Sequence, residues 1–207
     1  MPKRIIIAVI LVIIATAGYS GREPARAGGE PLPFPSYGDG SVEVRLYSNY
    51  FCGPCRVVDE AVSPLLADLL ARNVIRLTIV EVPGSVLFVN FFLYALKADN
   101  SFEQATAVRK VLFEAARERE ARTGEALAAL FRENGIAYEE FDASRLYPRF
   151  NELIREDDLR ATPTLVTITN GEKRFYRGKA IITALGELAE ARKPEDAARR
   201  EGSGEPT

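Results

Sequence analysis

The sequence predicts an α/β fold in which a βαβ unit, a helical block and a ββα unit follow one another. Three observations carry that prediction. Two strand-like runs, VEVRLY at 42–47 and VIRLTIVEV at 74–82, bracket one run with apolar residues at helical spacing. The stretch 85–159 then shows helical caps and helical periodicity with no strand signal. Finally, TLVTIT at 164–169 is followed by Asn170-Gly171, a two-residue hairpin signal because both positions tolerate positive φ.

The elements are justified in order. Lys3 and Arg4 precede an apolar run, Ile5 to Gly18. A helix of that length reaches about 21 Å, short of the roughly 30 Å hydrocarbon core of a bilayer. Residues 1–27 therefore read as a signal peptide, with small-x-small sites ending at Ala17 or, preferred, at Ala27; the alternative is an uncleaved N-terminal membrane anchor. Residues 28–41 continue a Gly/Pro-rich stretch and read as a linker. The folded domain is expected over 42–192.

Within it, the strand at 42–47 leads into a helix from about Cys52 to Ala71. Its broad apolar face is read as Val57, Val58, Ala61, Val62, Leu65, Leu66, Leu69 and Leu70, and Pro64 is expected to kink it. The strand at 74–82 ends at Pro83-Gly84. The helical block, expected over about 85–159, opens with an apolar and aromatic segment containing Phe88, Phe91, Phe92, Tyr94 and Leu96. That segment reads as core packing or, alternatively, as an apolar groove for unfolded substrate. Ser101 with Gln104 forms a capping box for a helix to about Arg122. Thr123 caps another to Asn134, with Gly135 as a left-handed stop, and a last helical stretch is expected over 144–158. After the hairpin, 181–191 closes the domain as a helix, and 193–207 has no apolar face and reads as a disordered tail.

Composition excludes several kinds of function. The net charge is −2, so a basic nucleic-acid-binding surface is not indicated, and no glycine-rich phosphate loop is present. Histidine is absent, which removes Ser-His-Asp and Cys-His catalysis and any imidazole metal site. The acidic clusters Glu139-Glu140-Asp142 and Asp157-Asp158 read as solvated loop faces rather than metal ligands.

Chemistry concentrates at residues 51–55, FCGPC. Cys52 and Cys55 are the two cysteines of the 207-residue chain. Cys52 falls where a helix follows a strand, and free N–H groups with the helix dipole favour a thiolate there. A thiolate is the species that attacks a disulfide. Cys55, one turn on, can close onto Cys52 and expel a bound substrate. Gly53 and Pro54 keep the turn tight and let a substrate chain approach. Competing readings are a structural disulfide, though so short a loop restrains little of the unfolded chain; a zinc site shared across a dimer; and two inert buried thiols. Redox chemistry is preferred. Ala161-Thr162-Pro163-Thr164 places a proline at a strand start, where a residue without an N–H belongs.

With FCGPC, Thr162-Pro163 and the helical block in this order, the chain resembles the DsbA-like thiol-disulfide oxidoreductases of the thioredoxin-fold superfamily. The resemblance covers about Ser41 to Ala191. It implies a thioredoxin fold with a DsbA-type helical insertion, Cys52 as nucleophile, Cys55 as resolving thiol, a cis Pro163, and a substrate groove along Gly53, Pro54, Thr162 and Pro163. It also implies protein thiol or disulfide substrates, a redox-recycling partner that is a membrane or soluble protein, and no metal or organic cofactor, while the signal peptide or anchor implies export to a periplasmic or cell-envelope location. The chain departs from the family pattern in three places. Leu46 stands where the family often has a buried acid, which leaves Glu81, or water, as proton acceptor for Cys55; the other reading of Glu81 is a solvated strand end. The Gly-Pro dipeptide is that of thioredoxin, so a less oxidising couple than DsbA is expected, and a reductase or isomerase is the first alternative. Phe51 replaces a tryptophan in an apolar role. A redox-inactive, chaperone-like binding module is the second alternative.

Overall fold

The first long strand, Val42–Ser48 (β2), is buried along nearly its whole length, which suits a central strand covered on both faces. In the computed structural model, which describes residues 32–84, 86–118 and 122–192, it pairs in parallel with β3, Ile75–Glu81, from Val42↔Ile75 to Ser48↔Glu81. On its other side it pairs antiparallel with β4, Thr164–Thr169. Strand β5, Glu172–Arg177, pairs back on β4. Asn170 and Gly171 turn the hairpin with φ of 51° and 81°, as a type I′ turn requires.

One strand lies where the linker was expected. Ser36–Tyr37 (β1) pairs antiparallel with β3, and the sheet order is β1-β3-β2-β4-β5. The Ile79 amide donates to the Pro35 carbonyl at 2.9 Å, and the Tyr37 ring sits edge-on to Phe102 at 5.6 Å. Gly40 then turns the chain against the Val74–Ile75 backbone, where a Cβ would overlap it. The ordered domain thus begins earlier than the sequence suggests. The expected leader (1–27) and tail (193–207) lie outside the described residues. No described helix is long and apolar enough to cross a membrane.

The crossover from β2 to β3 is helix α1, Gly53–Ala71. It is assigned as one helix through Pro64. Val58, Val62, Leu66 and Leu69 face the core, and α1 packs on β3 and on the last helix, α6 (Lys179–Ala191). Between β3 and β4 lie α2 (Val86–Ala98), α3 (Phe102–Glu118), α4 (Gly124–Glu133), a 3₁₀ turn (Ala143–Leu146) and α5 (Tyr147–Glu156). The caps sit where the sequence places them. The Gln104 amide donates to the Ser101 hydroxyl at 3.1 Å, the Ala126 amide to that of Thr123 at 3.2 Å, and Gly135 takes φ 67°. Phe88, Phe91, Phe92 and Leu96 are buried in the same apolar cluster as the sheet, which supports core packing for the aromatic segment.

Candidate functional site

The carboxyl ends of β2 and β3 and the amino end of α1 meet at one place. Asn49 shapes the approach to it. Its side-chain oxygen accepts from the Phe51 amide at 2.8 Å, its amide donates to the Val82 carbonyl at 3.2 Å, and its backbone carbonyl accepts from the Cys52 amide at 3.0 Å. Cys52 is then the N-cap of α1. The Cys55 amide donates to the Cys52 carbonyl at 2.9 Å and points at its Sγ at 3.2 Å. One amide of the helix start, shared with the Cys52 carbonyl, is thus aimed at this sulfur.

Cys52 and Cys55 are joined as a disulfide, with Cα atoms 5.2 Å apart. The two sulfurs differ in access: Cys52 is half-buried and Cys55 buried. Gly53 and Pro54 between them are exposed, and no neighbour crowds the Gly53 Cα. Across from the pair lies Thr162–Pro163, whose peptide bond is cis. The Thr162 carbonyl is 3.5 Å from Cys52 Sγ. All six residues singled out in the sequence, Cys52, Gly53, Pro54, Cys55, Thr162 and Pro163, are therefore gathered at one end of the sheet.

Phe51 is 55% exposed and rests edge-on against Phe88 at 5.0 Å. A shallow groove of about 280 Å³ runs beside Cys52, between Phe51, Gly53, Arg56, Phe113 and Arg117. Its floor is apolar, and its two arginines are paired with Glu114 at 3.6 and 2.7 Å. A larger cavity of about 610 Å³ between α3 and α4 carries Lys110, Glu118 and Glu133 on its wall and neither cysteine.

Two charged clusters escaped the sequence reading. Glu81 is fully buried rather than a solvated strand end, and it is ion-paired with Arg109. Asp157 is likewise buried, not a loop face. Tyr47 donates to it at 2.5 Å, Lys173 at 2.6 Å and Arg45 at 3.1 Å. Burial would raise the Asp157 carboxyl, but hydrogen bonds from Lys173 and Tyr47 and the Arg45 charge hold it below its ordinary value. This cluster ties the end of α5 to β2 and β5, directly before the 158–163 loop that carries Thr162–Pro163. The sequence held a signal for the first cluster: Asp59 and Arg109 interrupt the apolar faces of α1 and α3.

No protein-family model matches the chain, and no curated protein matches its sequence. Solved structures do match. A periplasmic thioredoxin-like protein from Salmonella enterica serovar Typhimurium superposes with a TM-score of 0.57 at 16% identity, over 82% of this chain and 92% of that one. The catalytic domain of Proteus mirabilis ScsC gives 0.57 at 16% identity, over 78% and 92%. The thiol-disulfide exchange protein α-DsbA2 from Wolbachia pipientis gives 0.53 at 16% identity, over 78% and 88%. With the β2-α1-β3 and β4-β5-α6 units flanking four helices, the chain shares the thioredoxin-like fold of these structures.

Proposed function

We propose that the chain is an exported thiol-disulfide oxidoreductase that exchanges disulfides with protein cysteines through Cys52 and Cys55. One observation carries this reading. The accessible sulfur of a two-cysteine disulfide sits on a helix N-terminus, 3.5 Å from the backbone carbonyl of Thr162, while its partner is buried.

In the oxidising direction, a substrate thiolate attacks Cys52 Sγ. A substrate–Cys52 disulfide forms, the Cys52–Cys55 bond breaks, and Cys55 leaves as a thiolate that takes up a proton. A second substrate thiol, having lost its proton, attacks the substrate sulfur of the mixed disulfide. The substrate leaves oxidised, and Cys52 departs with the electron pair as a thiolate stabilised by the helix start. Two electrons pass from the substrate dithiol to the cysteine pair, and the reductive direction is the reverse. Thr162 and Pro163 face the incoming chain, and exposed Gly53 and Pro54 admit it. The sulfurs carry the chemistry without a metal or organic cofactor. A separate redox protein, membrane-bound or soluble, restores the starting state. A periplasmic structural neighbour and the leader-like residues 1–27 support an envelope location.

A reductase or isomerase is the second reading, favoured by Gly53-Pro54, which brings no imidazolium to stabilise the Cys52 thiolate. The reduction potential of the pair, measured against glutathione or dithiothreitol buffers, separates the two. A value near that of thioredoxin, about −270 mV, makes the protein a reductant; one toward that of DsbA, about −120 mV, makes it an oxidant. A pair that exchanges with neither buffer overturns both and leaves a binding module.

A further inference from the structure

The groove of about 280 Å³ beside Cys52 has a charged wall that the exchange chemistry does not use. Its floor includes Phe51, Phe113 and Ala116, and its charged lining residues are Arg56 and Arg117. Neither Thr162 nor Pro163 lines it. It is therefore an approach to the Cys52 sulfur from the side of the insertion, separate from the cis-proline side.

Two helices build the wall. Arg56 follows Cys55 near the start of α1, and Arg117 lies in the last turn of α3. One carboxylate holds both guanidiniums: Glu114 Oε1 is 3.6 Å from Arg56, and Glu114 Oε2 is 2.7 Å from Arg117. Arg117 also meets Glu118 at 2.8 Å. Neither acid lines the groove, and both lie on the wall of the cavity between α3 and α4. The carboxylates stand behind the guanidiniums, so the groove itself presents cations. A guanidinium carries five N–H donors in a fixed fork. One already held by a carboxylate keeps donors for another, and loses less side-chain freedom when it binds.

Helix stability does not account for the pair. A cation in the last turn suits the dipole of α3, which explains Arg117. Arg56 is at the opposite kind of end. Positive charge near a helix N-terminus opposes the dipole, and the first turn of α1 has no acid to offset it. Its ion pair with Glu114 is long and partly exposed, and such pairs contribute little to stability. Gly53 stands between the sulfur and this wall with no neighbour crowding it, so a chain bonded to Cys52 can reach the guanidiniums.

We propose that Arg56 and Arg117 are specificity residues that select polypeptide substrates with an acidic side chain within one or two residues of the reacting cysteine. The inference rests on the oxidoreductase reading above and names the substrate class of that site. In the mixed disulfide the substrate carboxylate accepts from the guanidiniums, while its methylene stem lies on Phe113 and Ala116. A lysine or arginine in the same place meets like charge.

The test uses two synthetic dithiol peptides that differ in one feature, glutamate or lysine on both sides of the first cysteine. Second-order rate constants for exchange with the full chain are read by acid quench and thiol labelling. The readout is the ratio of the two rates, compared between protein variants, which cancels the peptides' own reactivity. The ratio in wild type should exceed that in Arg56→Gln/Arg117→Gln by about fivefold, the size of one partly exposed guanidinium–carboxylate pair. Arg56→Glu/Arg117→Glu should reverse the preference, and raising the salt from about 0.05 to about 0.5 M should shrink it in wild type. Should a double variant fail to fold, Arg56→Gln and Arg117→Gln singly decide the matter, each with a smaller loss in the same direction. A ratio that is the same in every variant overturns the proposal. Exchange with neither peptide overturns the oxidoreductase reading and this inference with it, whereas exchange without an arginine-dependent preference overturns this inference alone.

Discussion

At the scale of single residues, the unequal exposure of the two cysteines makes the first prediction. After reduction, Cys52 has the Cys55 amide aimed at its sulfur, which favours the thiolate, while Cys55 is 1% exposed. Iodoacetamide at mildly acidic pH should therefore label Cys52 at least tenfold faster, and mass spectrometry of the labelled peptides reads the ratio. Equal labelling removes Cys52 as the nucleophile. Replacing the buried thiol, Cys55→Ser, should trap substrate on Cys52 as a mixed disulfide seen on a non-reducing gel, because no internal thiol remains to release it. The pair itself is legible in the sequence, since two cysteines at the mouth of a βα junction stand out in any reading. What surrounds it is less so. The Asn49 side chain, which fixes the loop entering Cys52 through the Phe51 amide and the Val82 carbonyl, looks in the sequence like an ordinary turn residue.

At the scale of elements, Asp157 makes the second prediction. It is the point where α5 is fastened to β2 and β5 before the Thr162–Pro163 loop. Its carboxyl is held below the ordinary value of 3.8. A group whose folded pKa is depressed stabilises the fold above its unfolded pKa and loses that contribution as pH falls through the folded one. The wild type should therefore lose this increment only below about pH 4, whereas Asp157→Asn lacks it at neutral pH and shows a flatter stability curve in that acid range. Asp157→Ala removes an acceptor shared by Arg45, Tyr47 and Lys173, although Arg45 keeps Glu43 and Tyr47 keeps the Leu153 carbonyl, and should destabilise by about 1–3 kcal/mol at pH 7 in urea titrations. If Asp157→Asn follows the wild-type acid curve, the cluster does not fasten the loop. Elements whose cause is local were legible: the Ser101 and Thr123 caps, the Asn170-Gly171 turn and the periodic face of α1 each reside in a few adjacent residues. Elements whose cause is distant were not. Strand β1 is two residues long and exists because Thr78 and Leu77 present an open sheet edge to it. Asp59, Arg109 and Asp157 are charged residues that become interior only when helices far apart in sequence come together.

For the molecule as a whole, the question is whether the helical insertion is an appendage or part of one folding unit. Sheet residues Val44, Leu77 and Val166, α1 residues Val62 and Leu66, and insertion residues Phe92, Val108, Leu112, Phe131 and Phe150 belong to one buried cluster. Arg109 adds a polar tie from α3 to α1 and β3. Neither side can separate without exposing the apolar surface of both and leaving buried carboxylates unpaired, so the free-energy cost of opening is shared. The domain should accordingly unfold in a single transition, with matching midpoints by far-ultraviolet dichroism and calorimetry. Phe92, fully buried in α2, supplies the perturbation. Phe92→Ala should lower the stability of the entire domain by about 3–5 kcal/mol and move both probes together. Amide exchange at the centre of β2, Val44 to Leu46, should accelerate in step, although these residues are in the sheet and not in the insertion. Two resolved transitions, or exchange at β2 that ignores the substitution, would show that the insertion opens independently.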